Sequence, residues 1–151
     1  MLREQINDAM KTAMKSQDKL RLSTLRLINA AIKNADIEAR GAGKVALVDG
    51  DILSLLQKLI KQRQESVELY DKGGRAELAA QERDEIAIIS GFLPQQLSEA
   101  EAKEAIAGAI RETGASGMKD MGKVIAALKA RYAGRMDFAK ASALVKGMLA
   151  G

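Results

Sequence analysis

Hydrophobic positions recur along this chain at three- and four-residue intervals. Leu2, Ile6, Met10 and Met14 fall every four residues with Ala9 and Ala13 beside them, one face of an amphipathic helix. Ser16-Gln17-Asp18 interrupts that face, and Asp18 is placed to cap a second helix. Leu22, Leu25, Ile28, Ile32 and Ala35 form its stripe, widened by Leu20, Leu27, Ala31 and Ile37, until Gly41-Ala42-Gly43 closes it. After a loop, Asp49 or Asp51 caps a third helix through Leu53, Leu56, Leu59, Ile60, Val67 and Tyr70, ended by Gly73-Gly74. A fourth runs from about Arg75 to Ser90, with Leu78, Ala79, Ile86 and Ile89 inward.

Gly91-Phe92-Leu93-Pro94 is the clearest boundary: glycine suits a left-handed C-terminal position, and the single proline forces Leu93 extended. Ser98-Glu99-Ala100-Glu101 then reads as a capping box opening a fifth helix with Ile106 and Ile110, stopped at Gly114. A sixth covers about Met118 to Arg131. A seventh follows Asp137 and carries Phe138, Ala141, Leu144, Val145 and Met148. The pattern predicts an all-α, multihelical chain of two subdomains, residues 1–93 with four helices and residues 94–151 with three shorter ones. No internal repeat or low-complexity tract interrupts it.

Composition narrows the chemistry. One proline, two Phe, two Tyr and no Trp among 151 residues suit helix better than sheet. No histidine is present, so the commonest general base and metal ligand is missing. No cysteine is present either, which removes disulfides, thiolate nucleophiles and zinc-finger sites. No catalytic residue, cofactor or metal site is expected. Charges break every apolar run well short of the roughly 20 residues of a membrane span. The N-terminus lacks a signal-peptide pattern, so the cytoplasm is the default expectation.

Charge is segregated. From Gly117 onward seven basic residues face two acidic ones, a balance of +5 against +4 for the whole chain. The other 116 residues sum to −1. A basic helical module on a neutral body points to polyanions as the partner class.

The same tail, Met121-Gly122-Lys123-Val124, Leu128, Gly134-Arg135, Asp137, Leu144-Val145-Lys146 and Leu149, resembles the C-terminal tail domain of the GatB subunit of glutamyl/aspartyl-tRNA amidotransferase. Arg21 to Arg26, Lys61 to Ser66, Tyr70, Gly74-Arg75 and Phe92 to Ser98 are similar to the bacterial YqeY family, which joins a helical domain to such a tail. The resemblance implies an all-α fold of two subdomains and a module that contacts tRNA. It also implies an activity class, carbon–nitrogen ligase with glutamine as amido-N-donor. The amidase and nucleotide-binding domains of the amidotransferase have no counterpart in the residues that match.

Lys119, Lys123, Lys129, Arg131, Arg135, Lys140 and Lys146 are therefore the candidate RNA-binding residues, and tRNA or another structured RNA the expected partner. The near absence of aromatic platforms argues against reading of single-stranded bases. A protein–protein adaptor, whose basic tail meets an acidic surface, is the alternative, as is glutamine-dependent transfer by the chain itself. Arg21, Arg26, Lys33, Lys58, Lys61 and Arg63 could form a second basic strip. With Glu65 and Glu68 in helical reach, surface pairing or solvation is the expectation there. Glu82, Asp84 and Glu85 read as a solvated face, Met121 and Met148 as core filling, and the second helix's apolar face as core rather than membrane contact.

Overall fold

The computed structural model describes residues 1–44 and 47–150. Among them the helical periods become seven α-helices and one 3₁₀ turn, with no strand. These are α1 (Leu2–Ser16), α2 (Lys19–Gly41), α3 (Asp49–Lys72), α4 (Ala76–Ser90), α5 (Glu99–Thr113), the 3₁₀ turn Met118–Asp120, α6 (Met121–Tyr132) and α7 (Phe138–Ala150). The chain divides into two compact units, Met1–Leu93 and Pro94–Gly151.

In the first unit, Leu2, Ile6 and Ala13 of α1 meet Leu25, Ile28 and Ile32 of α2, Ile52 and Leu56 of α3, and Ile89 of α4. Each fully buried Leu or Ile contributes roughly 1.5–3 kcal/mol relative to exposure. Thr24 is the polar side chain within this core, and its hydroxyl donates to the Leu20 carbonyl at 2.9 Å. The α1–α2 turn works by two devices: Gln17 takes a left-handed conformation at φ 58°, and the Asp18 carboxylate accepts from the Arg21 N–H at 3.1 Å. Arg3 grips Asp36 through two hydrogen bonds of 2.8 and 2.6 Å. Asp36 also accepts from the Leu47 N–H, and Arg3 donates to the Leu47 carbonyl. One ion pair thus ties the start of α1, the end of α2 and the approach to α3. The guanidinium hydrogen bonds hold the Asp36 carboxyl at about 2, well below its ordinary 3.8.

The second unit closes around Ile106, Ala109, Val124, Leu128, Met136, Ala141 and Val145. Its capping box is complete: the Ser98 hydroxyl accepts from the Glu101 N–H at 3.1 Å, and the Glu101 carboxylate accepts from the Ser98 N–H at 3.0 Å. Those bonds to Ser98 lower the Glu101 pKa. Gly114 ends α5 in the left-handed region at φ 65°, where a side chain would be strained.

Several local expectations are corrected. Gly91 is right-handed at φ −61°, because α4 unwinds through tight turns, Phe92 N–H to Ile89 and Leu93 N–H to Ser90, before Pro94. Val48 precedes α3, with Asp51 reaching back to its N–H at 3.2 Å, while Asp49 is the first helical residue. Leu27 and Ile37 do not widen the α2 core stripe; they are 51% and 66% exposed, since they lie around the helix from Ile28 and Ile32. Leu78 and Met148 are exposed as well, whereas Met136, in the turn before α7, is buried.

Two outcomes follow. Leu56→Ala should cost about 3 kcal/mol in chemical denaturation, because it opens a cavity in a closed core, whereas Ser98→Ala, which loses only a cap, should cost about 1 kcal/mol. Asp36 has a depressed folded-state pKa, so its contribution is present above the ordinary carboxylate value and fades as pH falls from 3.8 towards about 2. Asp36→Asn should be less stable at neutral pH and lose less of its remaining stability across that window; identical acid slopes for the two proteins would contradict the role of the pair.

Candidate functional site

The seven tail cations sit in four places. Lys119 belongs to the 3₁₀ turn, Lys123, Lys129 and Arg131 to α6, Arg135 to the α6–α7 turn, and Lys140 and Lys146 to α7. Burial of Val124 and Leu128 fixes the rotation of α6, and burial of Ala141 and Val145 that of α7. Lys123 and Lys129 are six residues apart, as are Lys140 and Lys146. At 100° per residue each pair is splayed by about 120° around its helix. The lysines therefore flank the exposed faces and do not form a single row along either helix.

Two of the seven guanidinium or ammonium groups are committed to the protein itself. Arg131 forms a two-pronged pair with Glu112 of α5, Nη1 to Oε1 at 2.8 Å and Nη2 to Oε2 at 2.7 Å, which raises its pKa further and locks α6 to α5. Arg135 donates from Nε to the Gln95 carbonyl at 3.0 Å and lies 5.8 Å from the Tyr132 ring centre. Its own carbonyl accepts from the Leu97 N–H at 2.8 Å, and Gln96 donates to the Gly134 carbonyl. Arg135 thus fastens the segment before α5 to the α6–α7 turn.

The lysines are less constrained. Lys123 is 3.8 Å from Asp120, with its side chain 71% exposed, a geometry of little energetic weight. Lys129 lies 5.9 Å from the centre of the Phe138 ring, close enough for a weak cation–π attraction. Lys119, Lys140 and Lys146 are exposed and have no ion pair among the described residues.

Beside Arg135 a cleft of about 580 Å³ opens between the start of α5 and α7. Leu97, Ala102, Met136, Ala141 and Leu144 line its floor, with Glu99, Arg135, Asp137 and Lys140 at its polar edge. Asp137 caps α7, accepting from the Ala139 N–H at 2.9 Å. This cleft was not legible in the sequence, because it depends on where the Arg135 clasp sets the segment before α5.

Away from the tail, the reading of Glu82 and Glu85 as solvated is corrected. Arg63 of α3 meets Glu85 at 3.0 Å and Glu82 at 4.0 Å, and Glu85 is buried. Burial, with Glu85 alongside, raises the Glu82 pKa. Arg63 pairs across to α4 and not along α3 with Glu65 or Glu68. The available signal was spacing: Glu82 and Glu85 share a helix face with the inward Ala79 and Ile89. Arg63 also donates to the Leu59 carbonyl at 3.2 Å, so the cluster is an internal brace between α3 and α4.

Side-chain hydroxyls are similarly occupied. Thr12, Ser23, Thr24, Ser66, Thr113 and Ser142 each donate to a carbonyl one turn earlier in their own helix. Among the described residues no group of three or more acidic side chains converges as a metal site, and no helix is long and apolar enough to cross a membrane.

The chain is similar to the protein named Altered inheritance of mitochondria protein 41, mitochondrial, from Lachancea thermotolerans, with 36% identity over 105 residues, 68% of this chain and 54% of that protein. It is similar to the protein of the same name from Pyrenophora tritici-repentis, with 31% identity over 127 residues, 81% of this chain and 68% of that one. An uncharacterized protein of Schizosaccharomyces pombe is 34% identical over 86 residues, 57% of this chain and 67% of that one. The chain thus spans about half the length of the Lachancea relative. The expectation of a cytoplasmic protein is overturned by the Lachancea and Pyrenophora relatives, whose names place them in mitochondria. That expectation rested on the lack of an apolar leader, a feature that does not distinguish the two compartments. The model of the YqeY-like protein family matches residues 3–149, and the chain belongs to that family.

Proposed function

We propose that this chain is an accessory module that contacts the phosphate backbone of structured RNA through its C-terminal unit, with tRNA the RNA to which the GatB-like tail points. The observation that carries the reading is the concentration of positive charge after Gly117 together with its exposure: Lys119, Lys129, Lys140 and Lys146 present their ammonium groups to solvent. Arg131 and Arg135 take a different part in this reading. Their heads are engaged by Glu112 and Gln95, so they brace the surface that the lysines decorate. Lysines splayed around two helices suit a partner read by shape and backbone charge. They do not suit a base-specific register, which needs side chains converging on base edges.

The amide-transfer class enters only through the tail's resemblance. A binding role uses what the geometry offers, and any chemistry on the RNA would belong to a partner enzyme. The adaptor reading has one observation in its favour, the apolar cleft between α5 and α7. Its charged edge carries Glu99 and Asp137 as well as Arg135 and Lys140, so it shows no bias toward an acidic partner.

Anisotropy titration of labelled bulk tRNA from about 50 to about 200 mM salt tests the proposal. The Lys119→Ala, Lys129→Ala, Lys140→Ala and Lys146→Ala combination should lower the slope of log affinity on log salt by roughly 3, at about 0.7–0.9 per phosphate contact. Arg131→Ala, whose guanidinium is already paired, should leave affinity within about twofold. An unchanged slope in the four-lysine variant, or no tRNA binding at the lower salt, would falsify the reading.

A further inference from the structure

The near-neutral sum for the first unit conceals a second charge separation. Residues 1–44 hold nine basic and five acidic side chains, whereas residues 45–93 hold six basic and nine acidic. The α1–α2 hairpin is therefore +4 and the segment carrying α3 and α4 is −3. Helix rotation decides where that positive charge goes. Leu25, Ile28, Ile32 and Ala39 are buried and fix the inward face of α2. Lys19, Arg26, Lys33 and Arg40 recur every seven residues, just under two turns, and fall on the opposite side; all four are exposed. The row advances about 10 Å per step and about 31 Å in all.

Contacts with α1 orient this row. Asn29 donates to Asn7 at 3.3 Å and Asp36 holds Arg3, so these positions mark the flank of α2 that α1 covers. The basic row runs just outside that flank. On α1, the side outward from Arg3 and Asn7 carries Lys11 and Lys15, both exposed. Glu4 and Asp8 of α1 and Asp18 at the α1–α2 corner are the exposed carboxylates there, so six cations face three anions across the hairpin. Lys11, Lys15, Lys19, Arg26 and Lys33 have no ion pair among the described residues. Arg40 lies near enough to Asp36 to help lower its pKa.

We propose that the outward face of the α1–α2 hairpin is a binding surface for the phosphate backbone of double-helical RNA. The proposal stands apart from the tail lysines, since none of its residues lies beyond Arg40. Three features select this occupant. Six cations on two rigid helices complement a regular polyanion, and the row's length is comparable to one turn of a duplex. No aromatic side chain occurs before Tyr70, so nothing on this face can stack on unpaired bases. Stable seating in an anionic membrane adds apolar insertion to charge attraction, whereas the apolar face of α2 is already the core of the unit. Ile37 and Met14 are the exposed large apolar side chains on this side of the hairpin.

The test is anisotropy of the full chain with a labelled RNA duplex of about 16 base pairs. Three variants are compared: Arg26→Ala with Lys33→Ala; Lys58→Ala with Lys61→Ala on α3; and the four-lysine tail variant. Alanine at exposed helix positions preserves helicity, which circular dichroism verifies. The α2 pair should weaken binding about tenfold near 50 mM salt and lower the salt slope by about 2, with the α3 pair within about twofold of wild type. Equal effects from the α2 and α3 pairs overturn the proposal. Loss of binding in the tail variant alone also overturns it while leaving the tail reading in place. Loss in the α2 pair alone supports it and removes the tail reading for duplex RNA. Co-sedimentation with phosphatidylserine vesicles that depends on Arg26 and Lys33, without duplex binding, assigns the face to lipid and overturns the proposal.

Discussion

Burial of Ile6, Leu25, Ile28, Ile52, Leu56 and Ile89 at the centre of the first unit is the constraint on which the rest of that unit depends. Once those side chains are enclosed, each helix has lost its freedom to rotate, and every other position is assigned to a side. The heptad-spaced cations of α2 face outward because Ile28 and Ile32 face inward. Arg63 meets Glu85 because Leu56 and Ile89 bring α3 against α4. Polar contacts then fix details that packing leaves loose. The Arg3–Asp36–Leu47 clasp sets the entry to α3, and Gln17 with Asp18 sets the α1–α2 corner. Such pairs contribute geometry more than net stability, since their Coulomb gain is offset by lost hydration.

The second unit illustrates why a count of charges in sequence is not a description of a surface. Seven cations crowd into thirty-five residues, yet the fold spends Arg131 and Arg135 on internal fastening. Arginine suits that use, because its planar fork can satisfy a carboxylate or carbonyl while the stem packs on a neighbouring ring. The lysines, with one compact charge on a flexible stem, stay in solvent. A surface of mobile ammonium groups favours an extended anionic partner and gives little base specificity.

Much of the architecture was legible because helical period and capping chemistry are local. Ser98 and Glu101, Asp18, Gly114 and the inward aliphatic residues all take the places that spacing implies. Misread positions share a different cause. Leu27 and Ile37 are apolar, but apolarity alone does not decide burial, and both lie around the helix from the inward Ile28 and Ile32. Gly91 can adopt a left-handed conformation, yet the tight turns leading to Pro94 make none necessary. Arg63 has carboxylates within reach on its own helix, and its actual partners come from a helix some twenty residues later in the chain. The same non-locality hid the basic hairpin. Summing α1 to α4 together cancels positive charge on one hairpin against negative charge on the next, although the fold keeps them on different helices.

Helix rotation imposed by the core, then, determines which cations are available to a polyanion. The most direct measurement is an NMR titration of the ¹⁵N-labelled full chain with unlabelled duplex RNA, followed residue by residue. Core-imposed exposure predicts shifts concentrated at Lys11, Lys15, Lys19, Arg26, Lys33 and Arg40, at the exposed tail lysines Lys119, Lys129, Lys140 and Lys146, and at their neighbours, while the α3 and α4 amides around Glu65, Glu77 and Asp84 stay in place. Shifts centred on α3 and α4, or spread evenly over basic residues wherever they lie, would contradict it.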